Sequence, residues 1–306
     1  GAVVVMEAGT GDILAMASRP SFDPSCPGRA IESGTDAFLN RCISLYQPGS
    51  VFKLVLAAAA LEEGVASFEK RFLCRGEKES LVRCWSSPGH GEIKFADAFA
   101  FSCNPAFARL GLELGAGKVI EYAEKLGFSN QAITGYPLPY DQRQNPGRIG
   151  EPDSLVNSSI GQGPVLVSPV QVASAINAVL SDGLYRQPRL VKEIRTNDGK
   201  VEKTFAPEQG RKAVSPATAV RIRRLLEHAV DAGTAREASL PVFGSAGKTG
   251  TAQVSGEKGK IHAWFAGYAP RENPRYIVTV FVEDGGSGAE SAAPVFRDVM
   301  KKILGM

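Results

Sequence analysis

Strand-like segments stand at both ends of this chain and helix-like segments fill its middle, so one sheet can form only if the first residues pair with the last. Residues 2–18 read as a hairpin, two β-friendly runs joined by Ala8-Gly9-Thr10-Gly11-Asp12. Three more strand candidates lie at 248–254, 262–268 and 276–283, and a closing helix is expected over 292–304. Between them, helical composition and stop signals predict helices at 50–63, 95–100, 105–114, 118–126, 170–180 and 216–231. Two shorter strands are expected at 190–195 and 201–205, and residues 20–48, with four prolines, read as a long loop. The expected class is α+β, an antiparallel sheet flanked by helices with a mainly helical lobe inserted. Residues 1–306 form one domain on this reading, with 1–46 and 190–306 in the sheet-containing lobe and 47–189 in the helical lobe.

Composition narrows the partners more than the chemistry. The 306 residues are 43% apolar and carry a formal charge of only +3, with no basic run interleaved with aromatics, so no nucleic acid is expected as a partner. The longest apolar run, 54–61, is too short to span a bilayer, and no charged leader with a cleavage site opens the chain. The start inside a strand-like run suggests an excised domain whose anchor or upstream domain lies elsewhere. The cysteines, Cys26, Cys42, Cys74, Cys84 and Cys103, are odd in number and lack a C-x-x-C, so no metal site is indicated. A bridge between Cys74 and Cys84 and a fully reduced set stay open alternatives. His90 and His262 have no carboxylate or cysteine at ligand spacing and read as structural, while Trp264 and Phe265 read as sheet packing.

The stretch "GSAGKTGTAQV" at 244–254 contains Gly-Lys-Thr, which ends phosphate-binding loops and also occurs in serine acyl-transferases. A phosphate loop needs a glycine five residues before Gly247, where Val242 stands, and a helix after it, where a strand is expected. A run at 111–118 ends in Gly117-Lys118 but continues with Val119 instead of Ser or Thr. A nucleotide-binding protein using Gly247-Lys248-Thr249 is therefore the second reading.

The acyl-transferase reading needs two companions, and both are present. Ser50-Val51-Phe52-Lys53 sets a serine and a lysine three residues apart at a helix start, on one side of it. Ser102-Cys103-Asn104 supplies Ser-x-Asn ahead of a helix. Ser-x-x-Lys also occurs at 67–70, where an exposed helix end explains it better. The order of the three elements, each in its required setting, carries the argument.

At these residues the chain resembles the transpeptidase domain of class B penicillin-binding proteins, membrane-anchored enzymes that cross-link peptidoglycan. The resemblance covers nearly the whole chain, including Cys84-Trp85, Gly89-His90-Gly91, Ile160-Gly161-Gln162-Gly163 with Ser168-Pro169, and 262–268. It implies a penicillin-binding protein/serine β-lactamase-like fold with its site in the cleft between sheet and helical lobe. Ser50 is then the nucleophile, Lys53 the base, Ser102 the proton relay to the leaving amine, Asn104 the group that orients Lys53 and substrate, and Lys248 the cation that keeps Lys53 partly neutral. Thr249 and Thr251 would hold the terminal carboxylate of a stem peptide ending in D-Ala-D-Ala. Gly250 would clear room for that peptide along the strand edge, and the N–H groups of Ser50 and Thr251 would form the oxyanion hole.

β-Lactam antibiotics are implied as covalent ligands, no cofactor is implied, and the full-length protein is expected to work at the extracytoplasmic face of the cell membrane beside a membrane glycosyltransferase. Gln162 is expected either to shape the cleft wall or to form a turn. Oxidation of Cys103, pairing with Cys84, is expected to damp activity. A D,D-carboxypeptidase, a serine β-lactamase or a β-lactam sensor would share the same motifs.

Overall fold

The computed structural model describes residues 1–129, 132–136, 152–254 and 259–306. Its main sheet has the order β2-β1-β11-β10-β9 and joins the two ends of the chain. Strand β1 (Ala2–Glu7) pairs with its hairpin partner β2 (Ile13–Ser18) and, on the other side, with β11 (Tyr276–Val282), Ala2 lying opposite Phe281. Strand β10 (Ile261–Ala269) lies between β11 and β9 (Ala246–Gln253), and every pairing is antiparallel. Three two-stranded sheets join β3 (Arg71–Cys74) to β4 (Gly91–Lys94), β5 (Leu184–Tyr185) to β8 (Arg211–Lys212), and β6 (Glu193–Arg195) to β7 (Val201–Thr204).

Successive strand residues point to opposite faces. Phe265 meets Phe296 of the closing helix on one face, ring centroids 4.5 Å apart, and Trp264 packs on Phe281 and Tyr46 on the other. Trp264, Phe265 and Phe281 are fully buried, as sheet packing requires. His262 lies edge-on to Tyr46 and Phe281 in the same aromatic group.

The helices are α1 (Pro27–Glu32), α2 (Lys53–Glu62), α3 (Phe95–Ala100), α4 (Asn104–Lys125), α5 (Pro152–Ser159), α6 (Pro169–Leu180), α7 (Pro216–Asp231) and α8 (Ala293–Leu304). In α2 every residue from Lys53 to Leu61 is buried, which its alanine-rich, all-round apolar sequence permits. Helix α6 opens on a complete capping box: Ser168 accepts from the Gln171 N–H while the Gln171 side chain accepts from the Ser168 N–H. The amphipathic α8 ends on Gly305 in the left-handed conformation.

Two local expectations are corrected and one is borne out. The loop at 20–48 contains α1, opened by Pro27 and exposed enough to carry no buried residue that a periodicity could report. The helices expected at 105–114 and 118–126 are both present within α4, divided at Gly115, whose φ of +76° and ψ of 158° are not helical. The helix expected from Ser50 begins as a 3-10 turn, Gly49–Phe52, and becomes α-helical only at Lys53. All five cysteines are free thiols, so Cys74 and Cys84 are not bridged.

Candidate active site

The free edge of β9, the Gly49–Phe52 turn and the loop between α3 and α4 enclose a cleft of ≈ 980 Å³, lined among others by Ser50, Ser102, Asn104, Thr249 and Thr251. Segments nearly two hundred residues apart in sequence thus meet at one place. Gly247, Lys248 and Thr249 all lie inside β9, and no helix follows them. That removes the nucleotide reading, which needs loop amides and a helix N-terminus around the phosphates.

Glycine contacts bring the nucleophile turn against the sheet. Gly49 has φ +54°, and an added Cβ would stand 2.5 Å from the Thr251 carbonyl oxygen. Gly161 has φ +75°, its missing Cβ would stand 1.8 Å from the Gly49 carbonyl oxygen, and its own carbonyl accepts from the Gly49 N–H at 2.9 Å. A Cβ on Gly250 would lie 2.7 Å from the Pro48 carbonyl oxygen and 3.0 Å from the Trp264 Cβ. The space that Gly250 leaves thus admits the turn that carries Ser50. Beyond Thr251, the Gln162 side-chain amide, oriented to satisfy both groups, pairs with the backbone of Gln253 at 3.2 and 3.3 Å. Gln162 also lines the cleft, so it forms part of the wall.

Lys53, three residues on from Ser50, is fully buried. Its Nζ is 2.8 Å from the Ser102 carbonyl oxygen, 2.7 Å from Asn104 Oδ1 and 3.2 Å from Ser102 Oγ. The first two partners can only accept, so they fix two N–H bonds; a neutral amine then has its lone pair left for a hydroxyl proton. Burial pushes Lys53 down to about 7, partly offset by negative charge on the nearby Cys103 and Cys84 sulfurs. Lys248, also buried, is held well below its usual range by burial and then by the Lys53 charge. Ser102 carries φ +57°, a strained conformation for a residue with a side chain, of the kind that gathers at functional sites. Thr249 is buried and its hydroxyl meets that of Thr234 at 2.6 Å, whereas Thr251 is exposed and its Oγ1 accepts from the Gly288 N–H at 3.3 Å.

Sequence reasoning missed Gly49, Gly161 and Thr234. Gly49 adjoins one quoted motif and Gly161 lies within another, but only their left-handed backbones disclose the need for glycine. Sequence spacing offers His90 no cysteine, but the fold brings Cys84 Sγ to 3.5 Å from its Nδ1. By contrast, the decoy Ser67-x-x-Lys70 falls outside this cleft, with Lys70 Nζ donating to the Val65 carbonyl and pairing with Glu113.

A serine lining a cleft, a buried amine of depressed basicity three residues on, and a strand edge alongside define a serine acyl-transferase of the penicillin-recognising kind. Residues 1–301 match the family model described as penicillin binding protein transpeptidase domain. The chain belongs to that family, in its class B branch. It is 34% identical to the peptidoglycan D,D-transpeptidase PbpA of Mycolicibacterium smegmatis, over 99% of this chain and 67% of that protein. It is 33% identical to the stage V sporulation protein D of Bacillus subtilis, over 98% of this chain and 48% of that protein. The chain thus spans from about half to about two thirds of these relatives. Among solved structures, the D,D-transpeptidase domain of a peptidoglycan glycosyltransferase from Eggerthella lenta superposes with a TM-score of 0.90 at 31% identity, covering 100% of this chain and 78% of that one. The ceftriaxone acyl-enzyme complex of penicillin-binding protein A from M. tuberculosis gives 0.86 at 29% identity, covering 98% and 73%. The expected α+β fold is confirmed by these likenesses. Among the described residues no helix is long and apolar enough to cross a membrane.

Proposed function

We propose that this domain is the acylating unit of a peptidoglycan D,D-transpeptidase that also forms a covalent adduct with β-lactams. The observation that carries the reading is the buried Lys53 amine, fixed by Ser102 and Asn104 beside the cleft that Ser50 lines. The stem peptide aligns with the free edge of β9, its terminal carboxylate near Thr249, Thr251 and the charge of Lys248. Ser50 Oγ attacks the carbonyl of the penultimate D-Ala as Lys53 takes its proton, and the N–H groups of Ser50 and Thr251 receive the oxyanion. Ser102 passes a proton to the departing D-Ala amine. The amine of a neighbouring stem then attacks the ester, forms the cross-link and returns Ser50. A penicillin occupies the same place, but its leaving amine stays tethered, so its ester is long-lived.

In the full-length protein, an N-terminal segment holds this domain at the extracytoplasmic face of the cell membrane, where it works with a membrane glycosyltransferase. The longer relatives support that reading, as does their naming as peptidoglycan enzymes. The test is intact-mass analysis after incubation with a fluorescent penicillin. A stable adduct on the wild type that is lost in Ser50→Ala is expected. Rapid drug hydrolysis would indicate a β-lactamase, and no adduct would overturn the reading.

A further inference from the structure

A second constellation of reactive side chains borders the cleft, whose lining includes Cys84, outside the acyl-transfer steps. Cys74 closes β3, Cys84 and His90 lie in the segment before β4, and Cys103 stands between Ser102 and Asn104. The pairing of β3 with β4 sets Cys74 opposite Gly91, which brings Cys74 alongside His90. Two glycines fold the intervening segment back on itself: a Cβ on Gly76 (φ +67°) would lie 2.4 Å from the Gly89 nitrogen, and one on Gly89 (φ +81°) 2.5 Å from the Gly76 nitrogen. The three sulfurs and a ring nitrogen of His90 all lie within 4.8 Å of one another. The three cysteines are buried and His90 half-buried, its ring stacked over Phe101 with centroids 6.0 Å apart.

Three thiols are one too many for a disulfide, and an imidazole completes a tetrahedron. With Zn–S about 2.3 Å and Zn–N about 2.0–2.1 Å, tetrahedral zinc sets its donors about 3.5–3.8 Å apart. The contact of 3.5 Å between Cys84 Sγ and His90 Nδ1 has that separation, and the remaining donors need close by about 1 Å at most. We propose that Cys74, Cys84, His90 and Cys103 together bind one zinc ion. Soft thiolates with an imidazole select zinc over magnesium or calcium. Four protein donors leave no open position, so the ion is structural; on binding, the thiols release their protons to solvent.

The site's place in the fold gives it a task. Cys103 follows Ser102, whose backbone is strained, and Cys84 lies between Arg83 and Trp85 of the cleft wall. The two segments already touch: Asn104 Nδ2 donates to the Arg83 carbonyl at 3.4 Å and Trp85 Nε1 to the Phe101 carbonyl at 2.9 Å. A metal held by Cys84 and Cys103 adds two coordinate bonds to that seam and locks the loop bearing Ser102 and Asn104 to the wall.

The test is metal content by plasma mass spectrometry and native mass on protein purified without chelator from zinc-supplemented cells. One zinc per chain is expected, retained in Cys26→Ser and lost in a Cys84→Ser/His90→Ala double variant. His90→Cys, which keeps four donors, should retain it. Cobalt substitution should give the intense visible bands of a tetrahedral thiolate site, and stripping zinc should slow penicillin acylation at least tenfold, restored by adding zinc back. Should the double variant fail to fold, the cobalt spectrum of His90→Ala against wild type decides. Zinc absent from the wild type, a cobalt spectrum unchanged in His90→Ala, or a Cys84–Cys103 disulfide in the zinc-grown protein would overturn the proposal.

Discussion

The hydroxyls of Thr234 and Thr249 meet at 2.6 Å, and the Thr234 N–H donates to the Ala100 carbonyl at 3.0 Å. Thr234 therefore joins the edge strand to the end of the helix that leads into Ser102. Thr234→Val removes the hydroxyl bond while keeping the shape, leaving the buried Thr249 hydroxyl without that partner. A bond of this kind contributes about 1–1.5 kcal/mol, so the second-order rate constant for penicillin acylation should fall about tenfold. Thr234→Ser should restore it. Equal rates in Val and Ser variants would show that the contact does not hold Thr249 for the carboxylate.

Acylation should also depend on pH near neutrality. Burial pushes Lys53 down to about 7 from its ordinary 10.5, so the amine gains competence as a base when pH rises through about 7. Below that value folded and unfolded chains both hold the proton; between about 7 and 10.5 the unfolded chain alone holds it, so this group makes stability rise with pH across that window. Stopped-flow acylation by a chromogenic cephalosporin should show an ascending limb near pH 7. A flat profile through neutrality would argue against Lys53 as the base.

Gly161→Ala should harm both stability and acylation without touching substrate. Its Cβ would stand 1.8 Å from the Gly49 carbonyl oxygen in a left-handed backbone, combining overpacking with strain for a loss of about 2–4 kcal/mol. Gly9→Ala is the control: φ is +87° but nothing lies within 4 Å, so only the backbone term of about 1 kcal/mol applies. Chemical denaturation of the two variants should separate them, and equal losses would show that the packing of Gly161 on Gly49 is not the cause.

Ser168→Ala should lower stability by about 1 kcal/mol through loss of the cap on α6. Penicillin acylation at fixed temperature should stay within twofold of wild type, because the box lies outside the cleft. A large loss of acylation in a folded protein would mean that α6 has a more direct part in positioning the site.

Regular elements were legible wherever one face repeated. Helices α3 and α7 lie at the expected residues, and the five strands of the main sheet at nearly the expected ones, because alternation and helical spacing are local. The spacing of Ser50 and Lys53 was legible too, although Ser50 stands in a 3-10 turn and the regular helix begins only at Lys53. What escaped were features made by distant backbones. Gly250 stands in a strand motif, but its neighbour across space is Pro48, and Thr234 follows a helix end with no signal that it meets Thr249. Cys74, Cys84, His90 and Cys103 follow no ligand spacing because two strands, a folded segment and a helix start must assemble first.

The pairing of Ala2 with Phe281 has a bearing on how the molecule is made. As the chain is synthesised, β1 lacks its second neighbour, and β10 and β9 their support, until Tyr276–Val282 has emerged. Such long-range pairing is late and slow to close. An unfinished or truncated chain could hold Ser50 and Lys53 on a formed helix, yet it would have no strand edge beside them. Competence to react with peptide or drug is thereby deferred to the completed molecule.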